Sequence, residues 1–267
     1  MAAFSDRVLI ITGASSGIGE ALALAVAGQR PRLVLAGRET ARIEDVASRC
    51  RSDGARVLAV TGDLSEQSAC QSLINQAVAE YGTIDVLINN AGQTMWVLFE
   101  EISDLALFER LMKVNYLSSV YCTYFALPYL KQNRGRIVAV TSVTGFTGVP
   151  TRTAYAASKH AMVGFFESLR VELAGSGTTV TIVAPDFVQS RVHERALGPD
   201  GDPLGANPMS YSHVMTAERC ARMILRATKK RKRLLITSVR GRFGRWVKLL
   251  APRLIDRIAA RTISRRR

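Results

Sequence analysis

The chain has 267 residues, 48% of them hydrophobic, and a formal net charge of +14 at pH 7. This length and composition predict one large α/β domain with a well-buried core, and no apolar run approaches the 18 residues of a membrane span. The four cysteines form no C-x-x-C pair and the three histidines are scattered, so the sequence favours reduced core thiols over disulfides and predicts no metal site.

The first predicted element is a buried parallel strand over residues 7–12. A strand this close to the start leaves no room for a signal peptide, so we expect a cytoplasmic chain. A glycine-rich turn and a helix over 20–28 follow at once. Gly13 permits a tight turn, Gly17 permits close approach of a pyrophosphate, and Gly19 lets the helix pack on the strand. This arrangement predicts a nucleotide site, with a purely structural turn as the alternative.

The second predicted strand, over residues 32–36, ends at Gly37 and Arg38. An acidic residue at this place would accept a hydrogen bond from the ribose 2′-hydroxyl of NAD(H), whereas a small residue followed by Arg leaves room and charge for a 2′-phosphate. We therefore expect NADP(H) as the cofactor. The alternative is an arginine that merely opens a solvated helix.

Strand and helix patterns continue to alternate along the chain. Further strands are predicted at 56–60, 85–89, 136–141, 179–184 and 234–239. Helices are predicted at 65–81, 104–113, 114–131, 153–174 and 217–228. Seven β units joined in this way predict a single-domain α/β protein with a doubly wound seven-stranded parallel sheet, the Rossmann fold, and a C-terminal helical extension.

Polar residues follow several of the predicted strands, at the edge where parallel sheets bind their ligands. Asp63 and Leu64 follow the third strand and could hold an adenine amino group. Residues 89–92 form a polar turn after the fourth strand, which turn chemistry alone would also explain. Asn115 lies in an otherwise apolar stretch. A buried amide needs hydrogen-bond partners, so this residue is a candidate either for a structural role or for a proton relay.

Tyr155 and Lys159 are four residues apart, so on a helix they share one face. A tyrosine with a pKa of about 10 is a poor acid-base catalyst at neutral pH, but an adjacent cation favours the phenolate. Ser142, at the end of the fifth strand, would add a hydroxyl near the carbonyl group on which such a tyrosine would act. Taken alone, a Tyr and Lys pair at this spacing is better explained as part of a solvated helix face.

The segment over residues 191–216 is too long and too rich in Pro and Gly to be a simple connector. Loops of this length are usually functional lids or disordered, and we expect a lid over the substrate site. Phe187, Met209, Tyr211 and Met215 are its candidates for lining an apolar pocket.

The positive charge is concentrated at the C-terminus. Residues 229–267 contain 15 of the 36 Lys and Arg and one of the 22 Asp and Glu, which leaves 21 of each sign in residues 1–228. Apolar and basic residues alternate from residue 240 onward, and Pro252 most naturally begins a new helix, so we predict two short basic amphipathic helices.

Such helices can lie in a membrane interface, with Trp246 at headgroup depth and the basic residues beside an anionic leaflet. The alternative is a tail that docks on the protein itself or on a dimer partner. No nucleic acid partner is expected, because the tail lacks a recognised binding module.

In combination, these motifs resemble the short-chain dehydrogenase/reductase family. The resemblance covers about residues 7–239 and rests on the order and spacing of Thr12 with the glycine turn, residues 89–92, Asn115, Ser142, and Tyr155 with Lys159. It implies a catalytic domain over 1–239, with the lid at about 191–216, and a basic helical tail over 240–267.

The resemblance also implies a role for each site residue. Tyr155 would be the general acid-base, and Ser142 would position the carbonyl. Lys159 would bind the nicotinamide ribose and lower the pKa of Tyr155, while Asn115 would hold a water that links Lys159 to solvent. The implied cofactor contacts are Gly13, Ser15, Ser16, Gly17, Ile18, Gly19, Arg38, Asp63, Leu64, Asn90, Ala91, Gly92, Tyr155, Lys159, Pro185 and Ser190.

As a function, the resemblance implies NADPH-dependent reduction of a carbonyl, or the reverse oxidation of an alcohol, on an apolar substrate that is lipid-like or steroid-like. Relatives usually pair through two long helices, here 104–131 and 153–174, so a homodimer or homotetramer is expected. The alternatives are an NAD-dependent alcohol dehydrogenase and a catalytically silent cofactor-binding scaffold that the tail recruits to a membrane.

One position departs from the family pattern. The family usually has Pro-Gly after the sixth strand, whereas this chain has Pro185 followed by Asp186. Asp tolerates a left-handed backbone better than most residues, so the turn can survive. Its carboxylate would either weaken binding at the nicotinamide face or point to solvent.

Overall fold

The computed structural model describes residues 3–189, 194–205 and 214–264, with side chains as far as residue 260. Its strands are β1 (Val8–Thr12), β2 (Arg32–Gly37), β3 (Arg56–Thr61), β4 (Val86–Asn89), β5 (Arg136–Val140), β6 (Thr179–Ala184) and β7 (Leu234–Ile236). They form one parallel sheet in the order β3-β2-β1-β4-β5-β6-β7. The predicted doubly wound seven-stranded sheet is confirmed.

Helices connect the strands and extend the chain beyond the sheet. They are α1 (Gly17–Ala27), α2 (Thr40–Ser52), α3 (Gln67–Tyr81), α4 (Ala106–Leu111), α5 (Ser118–Gln132), α6 (Thr153–Glu172), α7 (Ala217–Lys229), α8 (Val239–Leu250) and α9 (Pro252–Ser264). The last helix begins at the proline that was predicted to start it.

Both faces of the sheet are covered by helices. In β1, Leu9 and Ile11 belong to an apolar cluster with α1, α2 and α7, whereas Ile10 belongs to the opposite cluster with α3, α5 and α6. The alternation follows the two-residue period of a strand. A strand buried on both faces is apolar at every position, which is why these strands read as continuous hydrophobic runs.

The strand order reverses at β1, which pairs with β2 on one side and β4 on the other. In an open α/β sheet, ligands bind at such a reversal, outside the carboxyl ends of the strands. The turns that follow β1 and β4 therefore open onto one crevice.

Two local predictions differ from the structure. The helices predicted over 104–131 are continuous, because a π-helical turn, Met112–Leu117, joins α4 to α5. Such turns insert an extra residue into a helix and often occur at functional sites. Val239, predicted to end the last strand, instead begins α8, because the Ser238 Oγ accepts a hydrogen bond from the Gly241 N–H at 2.9 Å and caps the helix.

Three further features of the described residues concern disulfides, metal-ligating groups and membrane-spanning helices. The cysteines Cys50, Cys70, Cys122 and Cys220 are buried free thiols. Within ranges 3–189, 194–205 and 214–264, no group of three or more His, Cys, Asp and Glu side chains is placed to hold a metal ion. In the same part of the chain, no helix is both long enough and apolar enough to cross a membrane.

Candidate active site

The glycine turn after β1 has a backbone conformation and a close packing that exclude residues with side chains at its glycine positions. Gly13 and Gly17 have φ angles of 64° and 59°, in the left-handed region that favours glycine. A Cβ on Gly19 would lie 2.1 Å from the Gly13 carbonyl oxygen, so the start of α1 packs directly against the turn. These residues leave an open cradle at a helix N-terminus, which fits a pyrophosphate group.

The turn after β4 is held against the glycine turn by hydrogen bonds. The Thr12 Oγ1 accepts from the N–H groups of Asn90 and Ala91 at 2.9 and 3.0 Å. The Asn90 Nδ2 donates to the carbonyl oxygens of Thr12 and Gly13 at 3.0 and 3.2 Å. Asn90 therefore joins the two turns, a role that turn propensity alone does not reveal.

A cleft of about 660 Å³ opens at this edge of the sheet. Among the predicted cofactor residues, Gly19 packs beneath the turn instead of lining the cleft, and Ser190 lies outside the described residues. The residues that do line it are Gly13, Ser15, Ser16, Gly17, Ile18, Arg38, Asp63, Leu64, Asn90, Ala91, Gly92, Tyr155, Lys159 and Pro185. Ser142 lines the same cleft, so the structure brings the predicted catalytic residues Ser142, Tyr155 and Lys159 together with the predicted cofactor-binding residues.

The end of the cleft where the sequence predicts the adenosine lies at the ends of β2 and β3. Arg38 is exposed there, and Leu64 is buried beside the cleft. The Asp63 Oδ1 accepts a hydrogen bond from the Ser65 N–H at 3.0 Å. Its second carboxylate oxygen leaves an acceptor for the adenine amino group that the sequence assigned to this residue.

Ser142, Tyr155 and Lys159 meet at the carboxyl end of β5. The Ser142 Oγ accepts from the Thr144 N–H at 3.2 Å, which fixes the hydroxyl at the start of a short turn. The Lys159 Nζ lies 5.8 Å from the Tyr155 ring centre and donates to the Val140 carbonyl oxygen at 3.1 Å. The face of α6 that carries Tyr155 and Lys159 is therefore turned into the cleft rather than toward solvent.

Burial perturbs both ionisable groups of this cluster. Lys159 is 3% exposed, and burial lowers its pKa from 10.5 to about 7. Burial raises the pKa of the Tyr155 phenol, and this effect is opposed first by the Arg152 guanidinium and then by the hydroxyls of Ser142 and Thr144. Perturbed groups in a cleft are typical of acid-base sites.

Asn115 lies in the π-helical turn, completely buried beside Lys159. Its Oδ1 accepts from the Gln93 N–H at 2.7 Å, and its Nδ2 donates to the Gln93 carbonyl oxygen and to the Ser158 Oγ at 3.0 and 2.9 Å. A Cβ on Gly92 would lie 2.9 Å from the Asn115 Oδ1 and 3.5 Å from the Lys159 Nζ. The amide thus links the turn after β4 to the helix that carries Tyr155 and Lys159.

Arg152 is a site residue that sequence reasoning missed. It is 5% exposed, lies 4.0 Å from the Trp96 ring centre and 6.0 Å from the Tyr155 ring centre, and hydrogen-bonds the Thr94 hydroxyl. Its place three residues before Tyr155 is the one local signal for it, because residues so spaced at a helix start are neighbours. A buried guanidinium beside the phenol adds positive potential at the catalytic end of the cleft.

The C-terminal helices also line the cleft, which the domain division at residue 239 did not anticipate. The docked tail, kept as an alternative from the sequence, is the arrangement seen for these lining residues: Arg240, Gly241, Gly244, Arg245, Ile255, Ile258 and Ala259. Of the predicted pocket residues, Phe187 lines the cleft, while Met215 packs against the core. Met209 and Tyr211 lie outside the described residues.

The Asp186 carboxylate neither points freely to solvent nor stands unpaired beside the cleft. It accepts hydrogen bonds from the Ser238 hydroxyl at 2.7 Å and from the Arg240 guanidinium at 2.8 and 3.2 Å. Burial opposes its ionisation, but the hydrogen bonds from Arg240 and Ser238 outweigh burial and hold the pKa of Asp186 below its usual value. The charge that departs from the family pattern is therefore compensated by the C-terminal segment.

The chain is similar in sequence to several curated proteins. It is 35% identical to an 11-beta-hydroxysteroid dehydrogenase of Pinus massoniana, over 94% of this chain and 72% of that protein. It is 36% identical to 11-beta-hydroxysteroid dehydrogenase-like 4A of Arabidopsis thaliana, over 94% and 83%. It is 34% identical to a dehydrogenase/reductase SDR family protein 7-like of Dictyostelium discoideum, over 95% and 80%.

Solved structures and a family model agree with these relatives. A short chain dehydrogenase/reductase from Burkholderia phymatum, in complex with NAD, superposes with a TM-score of 0.83 at 25% identity, over 95% of this chain and 96% of that one. The family model for short chain dehydrogenases matches residues 7–198. The chain therefore belongs to the short-chain dehydrogenase/reductase family of oxidoreductases, which use a nicotinamide cofactor.

Proposed function

We propose that this protein is an NADPH-dependent reductase of apolar ketones or aldehydes. The observation that carries the proposal is that Ser142, Tyr155 and Lys159 line the same cleft as the glycine turn after β1. One surface thus holds a phosphate cradle at one end and an acid-base cluster at the other, which is what hydride transfer to a carbonyl requires.

In the proposed reaction, the Ser142 hydroxyl donates a hydrogen bond to the substrate carbonyl oxygen and orients it. When bound, the nicotinamide supplies the hydride that the carbonyl carbon receives. The Tyr155 phenol gives its proton to the oxygen, so the product is an alcohol. The cations Lys159 and Arg152 then stabilise the phenolate that remains, and solvent returns the proton through the Lys159 and Asn115 region.

Cationic side chains at the end of β2 support NADP(H) over NAD(H). Arg38 is exposed at the cleft, and no acidic residue precedes it on the strand end. The neighbouring Glu39 is already held by Arg42 at 2.9 Å and by Arg195 at 3.0 Å. The surplus of positive charge suits a 2′-phosphate. NAD(H) remains the second candidate, since the Burkholderia phymatum structure contains NAD.

Replacing Arg38 by Asp is expected to weaken NADPH binding about 10- to 100-fold, because a charge-assisted hydrogen bond contributes roughly 1.5–3 kcal/mol. NADH binding should be retained or strengthened. Titration of purified protein with each nucleotide, followed by nicotinamide fluorescence, measures both affinities. Arg219→Asp, at an exposed arginine on α7, is the matched control. Unchanged NADPH affinity in the Arg38 variant would show that the cofactor assignment is wrong.

The far wall of the cleft supports an apolar substrate. It contains Phe146, Val149, Phe187, Ile255 and Ile258. Several of the relatives are named as hydroxysteroid dehydrogenases, so steroid and long-chain ketones are the first compounds to assay. Ketone-dependent oxidation of NADPH would support the reductase. Tight NADPH binding without turnover of any ketone in the panel would favour the silent scaffold instead.

The tail is proposed to hold a cytoplasmic enzyme at an anionic membrane surface. Large apolar side chains of α8 and α9 are exposed, among them Phe243, Trp246, Leu249 and Leu250 at 65–84% exposure. They share α8 and α9, which together we call the hairpin, with basic residues, each of which contributes roughly 1 kcal/mol near an anionic leaflet. An amphipathic surface of this kind supports peripheral binding.

The protein is expected to sediment with phosphatidylserine-containing vesicles and not with phosphatidylcholine vesicles, and high salt should weaken the binding by screening the charges. Replacing Phe243 and Trp246 together by Ser should abolish sedimentation. Phe99→Ser, at a residue that is 62% exposed elsewhere on the surface, should leave it intact. Equal binding by the double variant and the wild type would contradict a role for the hairpin.

A homo-oligomer through α4–α5 and α6 is also proposed. Tyr124 on α5 and Val171 on α6 are each 70% exposed, and apolar exposure of this kind supports burial against a second copy.

A further inference from the structure

The turn after β6 is joined to the segment before α8 by a set of hydrogen bonds that we call the Asp186 clasp, formed by Asp186, Thr237, Ser238 and Arg240. Besides the three bonds that Ser238 and Arg240 donate to its carboxylate, the Asp186 N–H donates to the Thr237 Oγ1 at 3.0 Å. The Asp186 side chain is 12% exposed, whereas that of Arg240 is 72% exposed. The clasp therefore joins a largely buried anion to a solvent-facing cation.

The clasp positions the start of α8. Ser238 donates to Asp186 while its Oγ accepts from the Gly241 N–H, so one side chain both caps the helix and fastens it. A Cβ on Gly241 would lie 2.8 Å from the Val143 Cγ1 and 2.9 Å from the Ile236 Cγ2. The first turn of α8 is thereby held against the residue next to Ser142.

Further along α8, two contacts reach the loop after β5. The Lys248 Nζ donates to the Phe146 carbonyl oxygen at 2.7 Å, and the Arg245 guanidinium lies 5.2 Å from the Phe146 ring centre. The helix thus spans from the loop that follows β6 to the loop that carries Ser142. These are the two loops against which a substrate would be placed.

Little apolar burial holds the hairpin in place. No residue of α8, all of which are described, is buried, and on α9 Leu254 and Ile258 are about half exposed. Where apolar contact is this limited, charge-assisted hydrogen bonds contribute a large share of the docking free energy. Loss of the clasp should therefore release the hairpin from the cleft.

We infer that Asp186 is a positioning residue that fastens α8 and α9 to the catalytic loops, so that the hairpin forms a wall of the substrate side of the cleft and sets affinity for long apolar substrates. The substrate part of this inference rests on the proposed function; the fastening of the hairpin does not. A glycine after the proline, as in the usual family pattern, has no side chain to make these bonds, so the fastening of α8 depends on Asp186.

Limited trypsin digestion of the full chain tests the fastening without any substrate, since Arg242, Arg245 and Lys248 are cleavage sites on α8. Asp186→Ala and Arg240→Gln should each speed cleavage there about tenfold, because removing one partner of a hydrogen-bonded charge pair leaves the other uncompensated. Arg253→Gln, which removes an exposed hairpin cation outside the clasp, should not. Reversing the pair, as Asp186→Arg with Arg240→Asp, should restore protection.

The same variants separate substrate positioning from cofactor binding. Asp186→Ala and Arg240→Gln should raise KM for a long apolar ketone while kcat and NADPH affinity stay near those of the wild type. If cleavage of α8 is unchanged in both variants, or if NADPH affinity falls while α8 stays protected, the inference is wrong. Because protection and nucleotide affinity need no ketone, a failed reductase assay leaves the test of the clasp intact.

Discussion

Tyr155→Phe is expected to lower kcat/KM for carbonyl reduction about 10²- to 10⁴-fold, the range that general acid-base groups contribute. The change removes the proton donor and keeps the ring, whose centre lies 6.0 Å from the Arg152 guanidinium and 5.8 Å from the Lys159 Nζ. Because phenylalanine keeps the aromatic ring and its volume, the cleft should keep its shape. NADPH affinity should therefore stay within the wild-type range. Steady-state kinetics with a reducible ketone and fluorescence titration with NADPH measure the two quantities.

Tyr124→Phe is the matched control, since this tyrosine on α5 is 70% exposed and is not among the residues that line the cleft. It should retain full activity. Activity of the Tyr155 variant close to that of the wild type would mean that another group supplies the proton. A parallel loss of NADPH binding would assign Tyr155 to the cofactor rather than to the chemistry.

Lys159→Met is expected to abolish most of the activity and to raise the free energy of unfolding at pH 7 by a few kcal/mol. Burial lowers the pKa of Lys159 from 10.5 to about 7, and each unit corresponds to about 1.4 kcal/mol of cost to the charged form. Methionine has a similar shape and no charge, so this cost disappears. The lost bond to the Val140 carbonyl oxygen offsets about 1 kcal/mol of the gain.

The sign of the pH dependence follows from the same shift. Between about pH 7 and 10.5 the unfolded chain binds more protons at Lys159 than the folded chain, so wild-type stability rises with pH by up to roughly 1.4 kcal/mol per unit. The variant lacks this group, and its advantage should shrink as the pH is raised. Urea unfolding at pH 7 and pH 9 measures the difference.

Lys131→Met, at an exposed lysine near the end of α5, should show neither the gain in stability nor the change with pH. A Lys159 variant that is less stable than the wild type at pH 7 would mean that hydrogen bonding, rather than burial of charge, dominates the energetics of this site.

The sequence was sufficient for the sheet and for most of the cleft. Apolar runs such as the one within residues 7–12 predicted strands buried on both faces, and the strand-to-helix position of Gly13, Gly17 and Gly19 predicted the turn. The spacing of Tyr155 and Lys159 placed both on one helix face. Each of these predictions uses residues close together in the chain, where backbone geometry alone relates one side chain to the next.

Contacts between distant segments could not be predicted in this way. Asp186 was predicted as a perturbation of the nicotinamide face or a solvated charge, because its partners Ser238 and Arg240 follow 52 and 54 residues later. The π-helical turn that buries Asn115 beside Lys159 likewise has no local periodic signature. Such pairings depend on how the topology brings strand ends together.

The sequence by itself thus determined the family and the parallel sheet and predicted the residues of the acid-base cluster, since these follow from local periodicity, turn chemistry and motif spacing. Only the tertiary structure decided that the basic C-terminal helices wall the cleft, that Arg152 lies beside Tyr155 and Trp96, and that Asp186 is paired. The physical reason is that burial and charge compensation are properties of a residue's surroundings in the fold, which the residue's neighbours along the chain do not specify.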